Sequence, residues 1–199
     1  MFEIAEYIGI IAFVISGFLV GVRNKLDLLG LLISTFLTAF GGGLIRDVIA
    51  NKTPYTFTHT APGTLVIILM AAMIIFKIHK KPNLENRALF IVSDSIGLVS
   101  FSISGALVAL STGYNLTGVM ALSFITAVGG GITRDVIINE VPFVFKTGFY
   151  GTIALLVGLI VFTLNLLNFL NFFTLLIVFI VGIIVRIVAF YRKWSVPLI

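Results

Sequence analysis

AFGGGLIRDVI, the stretch at residues 39–49, places three consecutive glycines before an arginine and an aspartate. Nearly the same letters, AVGGGITRDVI, return at residues 127–137. Glycine costs about 1 kcal/mol relative to alanine in a helix interior, so three in succession weaken a helix by roughly 3 kcal/mol. A feature that is this unfavourable and occurs twice needs an explanation in packing or in function.

The composition indicates an integral membrane protein. Of the 199 residues, 59% are hydrophobic and 11% are charged, and the mean hydropathy is +1.19. Such a chain cannot make an ordinary soluble surface. It contains no cysteine, which excludes disulfides and thiolate metal sites, and its apolar spans carry no Ser–His or His–acid arrangement suited to catalysis. We therefore expect no enzyme activity, no resident metal or cofactor, and no nucleic-acid partner.

Seven apolar stretches are long enough to cross a bilayer as helices. About 20 mainly apolar residues span the hydrocarbon core, and polar or charged breaks separate the stretches. Pro54 and Pro142 are predicted to stop helix growth in the loops after the second and fifth spans. The predicted spans cover residues 5–22, 28–49, 62–78, 89–110, 116–138, 149–165 and 169–190.

The basic residues predict an N-terminus outside the cell membrane and a cytoplasmic C-terminus. Lys and Arg concentrate in cytoplasmic loops, and this orientation places eleven of the thirteen basic residues inside, with Arg46 and Lys52 outside. The net charge of +5 is thus a topology signal. The basic stretch at residues 77–82 is interpreted as a cytoplasmic anchor, with lipid binding as the alternative. Arg186, near the cytoplasmic end of the last span, is predicted to snorkel to the interface.

The sequence contains an internal duplication. A shift of 88 residues aligns residues 5–64 with 93–152 without a gap, and 25 of these 60 positions are identical. The glycine triplets and the Arg-Asp pairs coincide, and Glu6 matches Asp94, so an acid is kept there. Each unit holds three spans, so the second copy must enter the membrane from the opposite face. We predict inverted three-helix repeats at residues 1–84 and 85–167, then a seventh helix and cytoplasmic C-terminus at residues 168–199.

The glycine triplets have two interpretations. In the first, the helices are kinked or broken there and line a pathway, because backbone freed inside a membrane must face protein or water, and its carbonyls attract cations. In the second, small residues let two transmembrane backbones pack closely. Two copies at matched places in an inverted duplication favour the first. The predicted kink residues are Gly41, Gly42, Gly43, Gly129, Gly130 and Gly131.

The adjacent arginine and aspartate of each motif are predicted to need separate partners. Neighbouring side chains diverge by about 100° around a helix, so Arg46 is not expected to pair with Asp47. One interpretation is an interfacial arginine that snorkels, with the aspartate as a local acceptor. The other is that Arg46 and Arg134 cross-link helices or form gates near opposite mouths, with Asp47 and Asp135 as counter-charges.

Two threonines mark a second polar feature of the spans. Thr38 and Thr126 occupy matched positions one turn before the glycines. Hydroxyls in helices mostly bond to the carbonyl one turn back, which makes each of them a weak marker alone. A pore that combines hydroxyls with exposed carbonyls can replace part of a cation's hydration shell, so we predict that these threonines line a pore.

With GGGxxRD in duplicate on the second and fifth of seven spans, the sequence resembles the prokaryotic branch of the trimeric intracellular cation (TRIC) channels over nearly its whole length. The resemblance implies a monovalent-cation channel that conducts K⁺, built as a homotrimer among membrane lipids with one pore in each protomer. It also implies that the glycine triplets kink the pore-lining second and fifth helices.

Other functions stay open at this point. The same pair of domains is also described as glycine-transporter-like, and inverted repeats occur in channels and carriers alike, so the alternative is a secondary transporter of a small amino acid such as glycine. In a carrier, Arg46 or Arg134 would hold a substrate carboxylate. A passive scaffold explains the apolar composition but not two unfavourable glycine triplets.

Overall fold

The computed structural model describes residues 1–78, 87–146 and 148–194, with the backbone alone for Arg87. Within these ranges the chain forms helices and no strands, so the predicted all-α membrane fold is confirmed. The predicted boundary at residues 84 and 85 and most of the basic stretch at 77–82 lie outside the described residues. The helices are α1 (Phe2–Arg23), α2 (Leu28–Ile49), α3 (Tyr55–Thr58), α4 (Thr60–Ile75), α5 (Arg87–Ser111), α6 (Leu116–Ile137), α7 (Phe143–Lys146), α8 (Tyr150–Leu166) and α9 (Phe172–Tyr191).

Five of the described helices are long and apolar enough to cross a membrane, namely α1, α2, α5, α6 and α9. Helices α4 and α8 are equally apolar in character but contain 16 and 17 residues. Helix α9 begins three residues later than predicted, because the Asn171 side chain accepts hydrogen bonds from the N–H groups of Phe173 and Thr174 and so caps the helix there.

Matching side-chain caps begin α2 and α6. The Asp27 carboxylate accepts a hydrogen bond from Gly30 N–H at 2.7 Å, and the Asn115 side chain accepts one from Gly118 N–H at 2.9 Å. Each cap satisfies a backbone donor that the first helical turn leaves free. The two helices consequently begin at positions 88 residues apart, as the duplication predicts.

The two helices also end in the same way. Asn51 and Asn139 adopt φ angles of 52° and 59°, the left-handed conformation that commonly ends a helix. The N–H group of the following residue then donates to the carbonyl of Asp47 or Asp135, at 2.8 Å in both cases. The chain continues into the one-turn helices α3 and α7, where the sequence predicted loops.

Helix α1 packs along α5, and α2 packs along α6, so both halves of the duplication contribute to one core. Phe13 and Phe101 meet there with ring centroids 5.1 Å apart. The ring of Phe13 lies against Gly97, and the ring of Phe101 lies against the matched Gly9. Such an exchange of contacts is typical of two copies of one unit that face each other.

Helix α9 lies at the edge of this core. Only 17% of its most apolar 18-residue window is buried. Phe173, Ile177 and Ile184 each expose more than half of their surface. The outer face of α9 is therefore a continuous apolar surface.

Candidate functional site

Helices α2 and α6 cross at their glycine triplets. A Cβ atom on Gly130 would lie 2.5 Å from the carbonyl oxygen of Thr38, and one on Gly42 would overlap the carbonyl oxygen of Thr126. Both glycines are buried. Small residues permit this approach between transmembrane backbones, so the packing interpretation of the triplets describes the structure.

Both helices run through their triplets without interruption. Helix α2 is continuous over Leu28–Ile49, and α6 is continuous over Leu116–Ile137. The predicted helix break is therefore wrong, and with it the prediction that the carbonyls of a broken segment face a pathway. Tertiary packing stabilises most helices more than propensity does, so the contact between the two backbones keeps the glycines helical. The role of the six glycines as pore kinks stays a prediction.

Arg46 is the centre of a buried polar cluster. Its Nη1 and Nη2 donate to the two Glu6 oxygens of α1 at 2.6 and 3.1 Å, and Nη1 also donates to Ser104 Oγ of α5 at 2.6 Å. Its Nε donates to Oδ1 of Asp47 at 2.8 Å. The Arg46 side chain is 0% exposed. One guanidinium thus joins three helices from both halves of the duplication, and we call these four residues the first cluster.

The prediction that adjacent motif charges do not pair is wrong in both halves, whereas the prediction that each arginine has a partner elsewhere is confirmed by the bonds of Arg46 to Glu6 and of Arg134 to Thr38. Nε of Arg46 bonds to Asp47, and Nε of Arg134 bonds to Asp135 Oδ1, both at 2.8 Å. The Cβ atoms diverge, but an arginine side chain is long enough to bring Nε back to the next carboxylate. The arginines do not snorkel, because their side chains are 0% and 2% exposed, but each aspartate is the local acceptor that this alternative predicted.

Arg134 has the matching position in α6 but different partners. Besides bonding to Asp135, it donates through Nη1 to Oγ1 of Thr38 in α2, at 3.2 Å. Asp94, the acid that matches Glu6, instead accepts a hydrogen bond from the Tyr150 hydroxyl of α8 at 3.1 Å. We call these five residues the second cluster. The two halves share a motif but not its arrangement.

The motif aspartates also position the one-turn helices. Oδ2 of Asp47 accepts from the backbone N–H of Tyr55, and Oδ2 of Asp135 accepts from that of Phe143, both at 2.8 Å. Each aspartate therefore connects the end of a long helix to the start of a short one. The hydrogen bond to the Tyr7 hydroxyl raises the pKa of the Tyr55 phenol above its ordinary value.

The matched threonines bond as helix hydroxyls were expected to do. Thr38 donates to the Ser34 carbonyl and Thr126 donates to the Leu122 carbonyl, both at 2.6 Å. Thr38 differs from its counterpart because its oxygen also accepts the bond from Arg134. Thr38 is therefore the residue through which α2 takes part in the second cluster.

Arg186 is fully buried, so its predicted place at the interface is wrong. Its exposed fraction is 0%, and within the part of the chain that the structure describes its three guanidinium nitrogens have no hydrogen-bond partner. Its Cζ lies 4.6 Å from the ring centroid of Tyr150 and 5.7 Å from that of Phe190, as in cation–π contacts. The prediction failed because α9 packs this part of its surface against α5 and α8.

Two cavities adjoin the two clusters. The first cavity, of about 310 Å³, borders Asp47 and Tyr55. The second cavity, of about 10 Å³, has room for about one water molecule. The polar residues that border the first cavity are Asp47, Lys52, Thr53, Tyr55, Thr58, His59 and Ser111. The polar residues that border the second are Thr38, Asp94, Arg134, Asp135 and Tyr150.

Four cluster residues were not among the predicted site residues. Glu6 and Asp94 carried a signal, since both halves keep an acid at this place inside an apolar span. Ser104 was visible only as part of a repeated Ile-Ser-Gly. Nothing identified Tyr150, because its match in the first half is a proline. Among the described residues, no group of three His, Asp or Glu side chains is arranged to hold a metal ion.

A family model described as "Glycine transporter" matches residues 3–80 and 91–165. These two segments make up most of the chain and correspond to the two halves of the duplication. The chain belongs to this family. It is the family of the TRIC channels, so the resemblance read from the duplicated GGGxxRD motif is confirmed.

Bacterial relatives of the TRIC family match this chain over most of its length. The membrane protein YvgT of Bacillus subtilis is 35% identical over 195 residues, which cover 98% of this chain and 95% of YvgT. The inner membrane protein YadS of Escherichia coli is 30% identical over 155 residues, which cover 78% of this chain and 74% of YadS. Both names state a membrane location, which agrees with the helices described above.

Solved TRIC channel structures share the fold. A TRIC cation channel studied for its conductance is 36% identical, with a TM-score of 0.85 over 100% of this chain and 97% of the other. A prokaryotic TRIC channel solved in 0.5 M KCl is 30% identical, with a TM-score of 0.87 over 98% of each chain. The TRIC channel of Rhodobacter sphaeroides is 26% identical, with a TM-score of 0.86 over 96% of this chain and 97% of the other.

Proposed function

We propose that this chain is a K⁺-conducting cation channel with one pore inside each protomer. The observation that carries the proposal is the presence of two buried polar clusters, centred on Arg46 and Arg134, within an apolar helix bundle. Charged side chains inside a membrane are unfavourable, and they usually face a partner or a water-filled pathway. The likeness of the whole chain to solved TRIC cation channels supports cations as the transported species.

The proposed architecture has seven membrane-spanning helices. Helices α1, α2 and α4 form the first repeat at residues 1–84, and α5, α6 and α8 form the inverted second repeat at residues 85–167. Helix α9 and residues 168–199 complete the chain. The matched caps, helix ends and aspartate contacts of α2 and α6 support this division. The short α4 and α8 can still cross a bilayer that thins locally around them.

The proposed pathway runs beside the glycine crossing, because the backbones of α2 and α6 leave no room between them. It leads from the first cavity past Thr38 to the second cavity. Arg46 with Asp47 and Arg134 with Asp135 stand near its two mouths, and Thr126 lies inside beside the crossing. Hydroxyl oxygens in such a pathway replace part of the hydration shell of K⁺ without holding it tightly.

The functional unit is proposed to be a homotrimer in the cell membrane. The trimeric state of the TRIC channels and the apolar outer face of α9 support it, since this face suits lipid or a second copy of the chain. Light scattering of the detergent-purified protein, corrected for bound detergent, should give the mass of three chains of 21.6 kDa. The mass of a single chain at the concentration used for recording would contradict the trimer.

Planar-bilayer recording tests the channel function. The purified protein is expected to give discrete unitary currents that reverse near the K⁺ equilibrium potential in a KCl gradient. Thr38→Val, which keeps the side-chain shape but removes the hydroxyl, should lower the unitary conductance. Thr163→Val on α8 is the matched control, because this hydroxyl is exposed and bonds to its own helix. Absence of unitary currents from folded protein would contradict the proposal.

The family description favours one second candidate, secondary transport of glycine. Arg134 is the better carboxylate ligand of the two motif arginines, because Arg46 already holds both oxygens of Glu6. Saturable uptake of labelled glycine into proteoliposomes, without unitary currents, would favour the carrier. The same vesicles serve for both measurements.

A further inference from the structure

The two halves of the duplication hold their motif arginine in two different positions. In the first cluster, Arg46 donates hydrogen bonds to both oxygens of Glu6 and to Oγ of Ser104. We call this the engaged position of the motif arginine. The serine also donates to Glu6 Oε2 at 2.9 Å. Arg46, Glu6 and Ser104 are thus all hydrogen-bonded to one another.

In the second half, one oxygen of the corresponding acid and the hydroxyl of the corresponding serine have no hydrogen-bond partner among the described residues. The 88-residue shift of the duplication identifies the acid as Asp94, which matches Glu6, and the serine as Ser16, which matches Ser104. Oδ2 of Asp94 and Oγ of Ser16 are buried, and neither has a hydrogen-bond partner among the described residues. Buried polar atoms are nearly always bonded, so two unbonded atoms at the matched places point to a second position for the Arg134 guanidinium.

Two features of the sequence hold Arg134 away from these acceptors. Asp94 is one methylene shorter than Glu6, so its carboxylate reaches less far. Tyr150 also holds Asp94 Oδ1 at 3.1 Å, whereas the matched residue in the first half is Pro62, which has no hydroxyl. Arg186 lies on the ring of Tyr150 at 4.6 Å and keeps it in place.

Arg134, Asp94 and Thr38 all border the second cavity, which measures about 10 Å³. In the structure Arg134 reaches across this region to Thr38 of α2. The Arg134 guanidinium bridges α6 and α2 and fills the space between them. Its withdrawal would empty that space and leave Oγ1 of Thr38 without this hydrogen bond.

We propose that Arg134 is a two-position gate, closed when it donates to Thr38 and open when it donates to Asp94 and Ser16. The proposal rests on the channel function proposed above and names the groups that open the pathway at its second cavity. Asp94 and Ser16 are positioning residues for Arg134. The first cluster shows the corresponding engaged arrangement, in which Arg46 donates to Glu6 and Ser104.

Ser16→Ala is the most selective test, because Ser16 Oγ makes no hydrogen bond in the structure as described and would gain one only in the open position. We expect the open probability in planar bilayers to fall about tenfold, the shift that the loss of one charge-assisted hydrogen bond supports. Asp94→Asn should act in the same direction. Tyr150→Phe should raise the open probability, because it releases Asp94 and keeps the ring beneath Arg186.

Ser100→Ala is the matched control. Its hydroxyl is also buried without a hydrogen-bond partner among the described residues, and it lies on α5 outside both clusters. The open probability of this variant should equal that of the wild type. A general effect of removing a buried serine hydroxyl would lower both serine variants equally, and this would overturn the proposal.

A second measurement follows the gate without relying on current. Val144 borders the second cavity, and the chain has no cysteine, so Val144→Cys carries a single reporting thiol. Its modification by a water-soluble, positively charged thiol reagent should slow about tenfold when Ser16→Ala is added and accelerate when Tyr150→Phe is added. Both double variants are compared at equal folded concentration, measured by size-exclusion chromatography.

The two measurements separate the two proposals. If the wild type conducts, the open probability is unchanged in Ser16→Ala, Asp94→Asn and Tyr150→Phe, and the thiol rate is unchanged in both double variants, then the gate is wrong and the channel stands. If no variant conducts but the thiol rate shifts as described, the channel is wrong and the movement of Arg134 stands. If the thiol rate is constant and nothing conducts, both are wrong.

Discussion

Gly42 of α2 faces the carbonyl oxygen of Thr126 in α6 so closely that a single methyl group on Gly42 would overlap it. Gly130 of α6 meets the Thr38 carbonyl of α2 in the same way. The triplets are therefore the contact between α2 and α6, which is one of the surfaces where the two halves of the duplication meet. Alanine at either position would force the two backbones apart.

Gly42→Ala or Gly130→Ala should lower the free energy of unfolding by about 1–3 kcal/mol, the usual effect of overpacking a filled contact. The close crossing of α2 and α6 at these two glycines is the reason for the expected loss of stability. Thermal unfolding in detergent, followed by the loss of the folded-protein peak in size-exclusion chromatography, measures the effect.

Gly131→Ala is the control from the same triplet. A Cβ atom there would meet only Nη2 of Arg134, at 3.9 Å, which is an ordinary contact. Alanine also favours the helix by about 1 kcal/mol over glycine. This variant should unfold at or above the wild-type temperature, and equal destabilisation of Gly131→Ala and Gly42→Ala would contradict the packing role.

The helices of this protein could be predicted from the sequence because apolar length and helix caps are local properties. Asp27 and Asn115 begin α2 and α6 where the apolar stretches begin. The late start of α9 at Phe172 depends on one asparagine side chain, which hydropathy does not detect. The one-turn helices α3 and α7 were missed because an aspartate from the preceding helix stabilises each of them.

The site was only partly predictable because its contacts join distant parts of the chain. The duplication identified Arg46 and Arg134, but their partners depend on how the halves pack. Glu6 is 40 residues from Arg46, and Thr38 is 96 residues from Arg134. A matched motif predicted matched surroundings, and Tyr150, whose counterpart in the first half is Pro62, makes them differ.

Removal of Glu6 should destabilise the protein strongly. Glu6→Ala leaves the buried Arg46 guanidinium without its two-oxygen partner, and breaking a buried ion pair from one side costs about 3–5 kcal/mol. Glu140→Gln is the comparison, since the ion pair of Glu140 with Lys146 is exposed and such pairs contribute about 0–1 kcal/mol. Unfolding midpoints in detergent that fall equally for both variants would show that burial does not matter here.

The motif aspartates should protect the first amide of each one-turn helix. Asp47→Ala removes the acceptor of Tyr55 N–H, so hydrogen exchange at that amide should accelerate by roughly tenfold or more, as expected for a lost charge-assisted bond. Asp135→Ala should do the same at Phe143. Each variant is the control for the other, because the two bonds lie in different halves. Exchange that accelerates equally at both amides in one variant would indicate general unfolding.

The orientation predicted from the basic residues can be tested with single cysteines in the cysteine-free chain. Thr53 is exposed in the segment after α2, and Arg23 and Lys146 are exposed in segments that the charge distribution places in the cytoplasm. On intact cells, a membrane-impermeant maleimide should label Thr53→Cys and leave Arg23→Cys and Lys146→Cys unlabelled until the cells are opened. Labelling of Lys146→Cys but not of Arg23→Cys on intact cells would place the two residues on opposite sides of the membrane. The four predicted crossings between them, by α2, α4, α5 and α6, require the same side. This result would therefore contradict the inverted repeats themselves, whereas a reversed orientation would not.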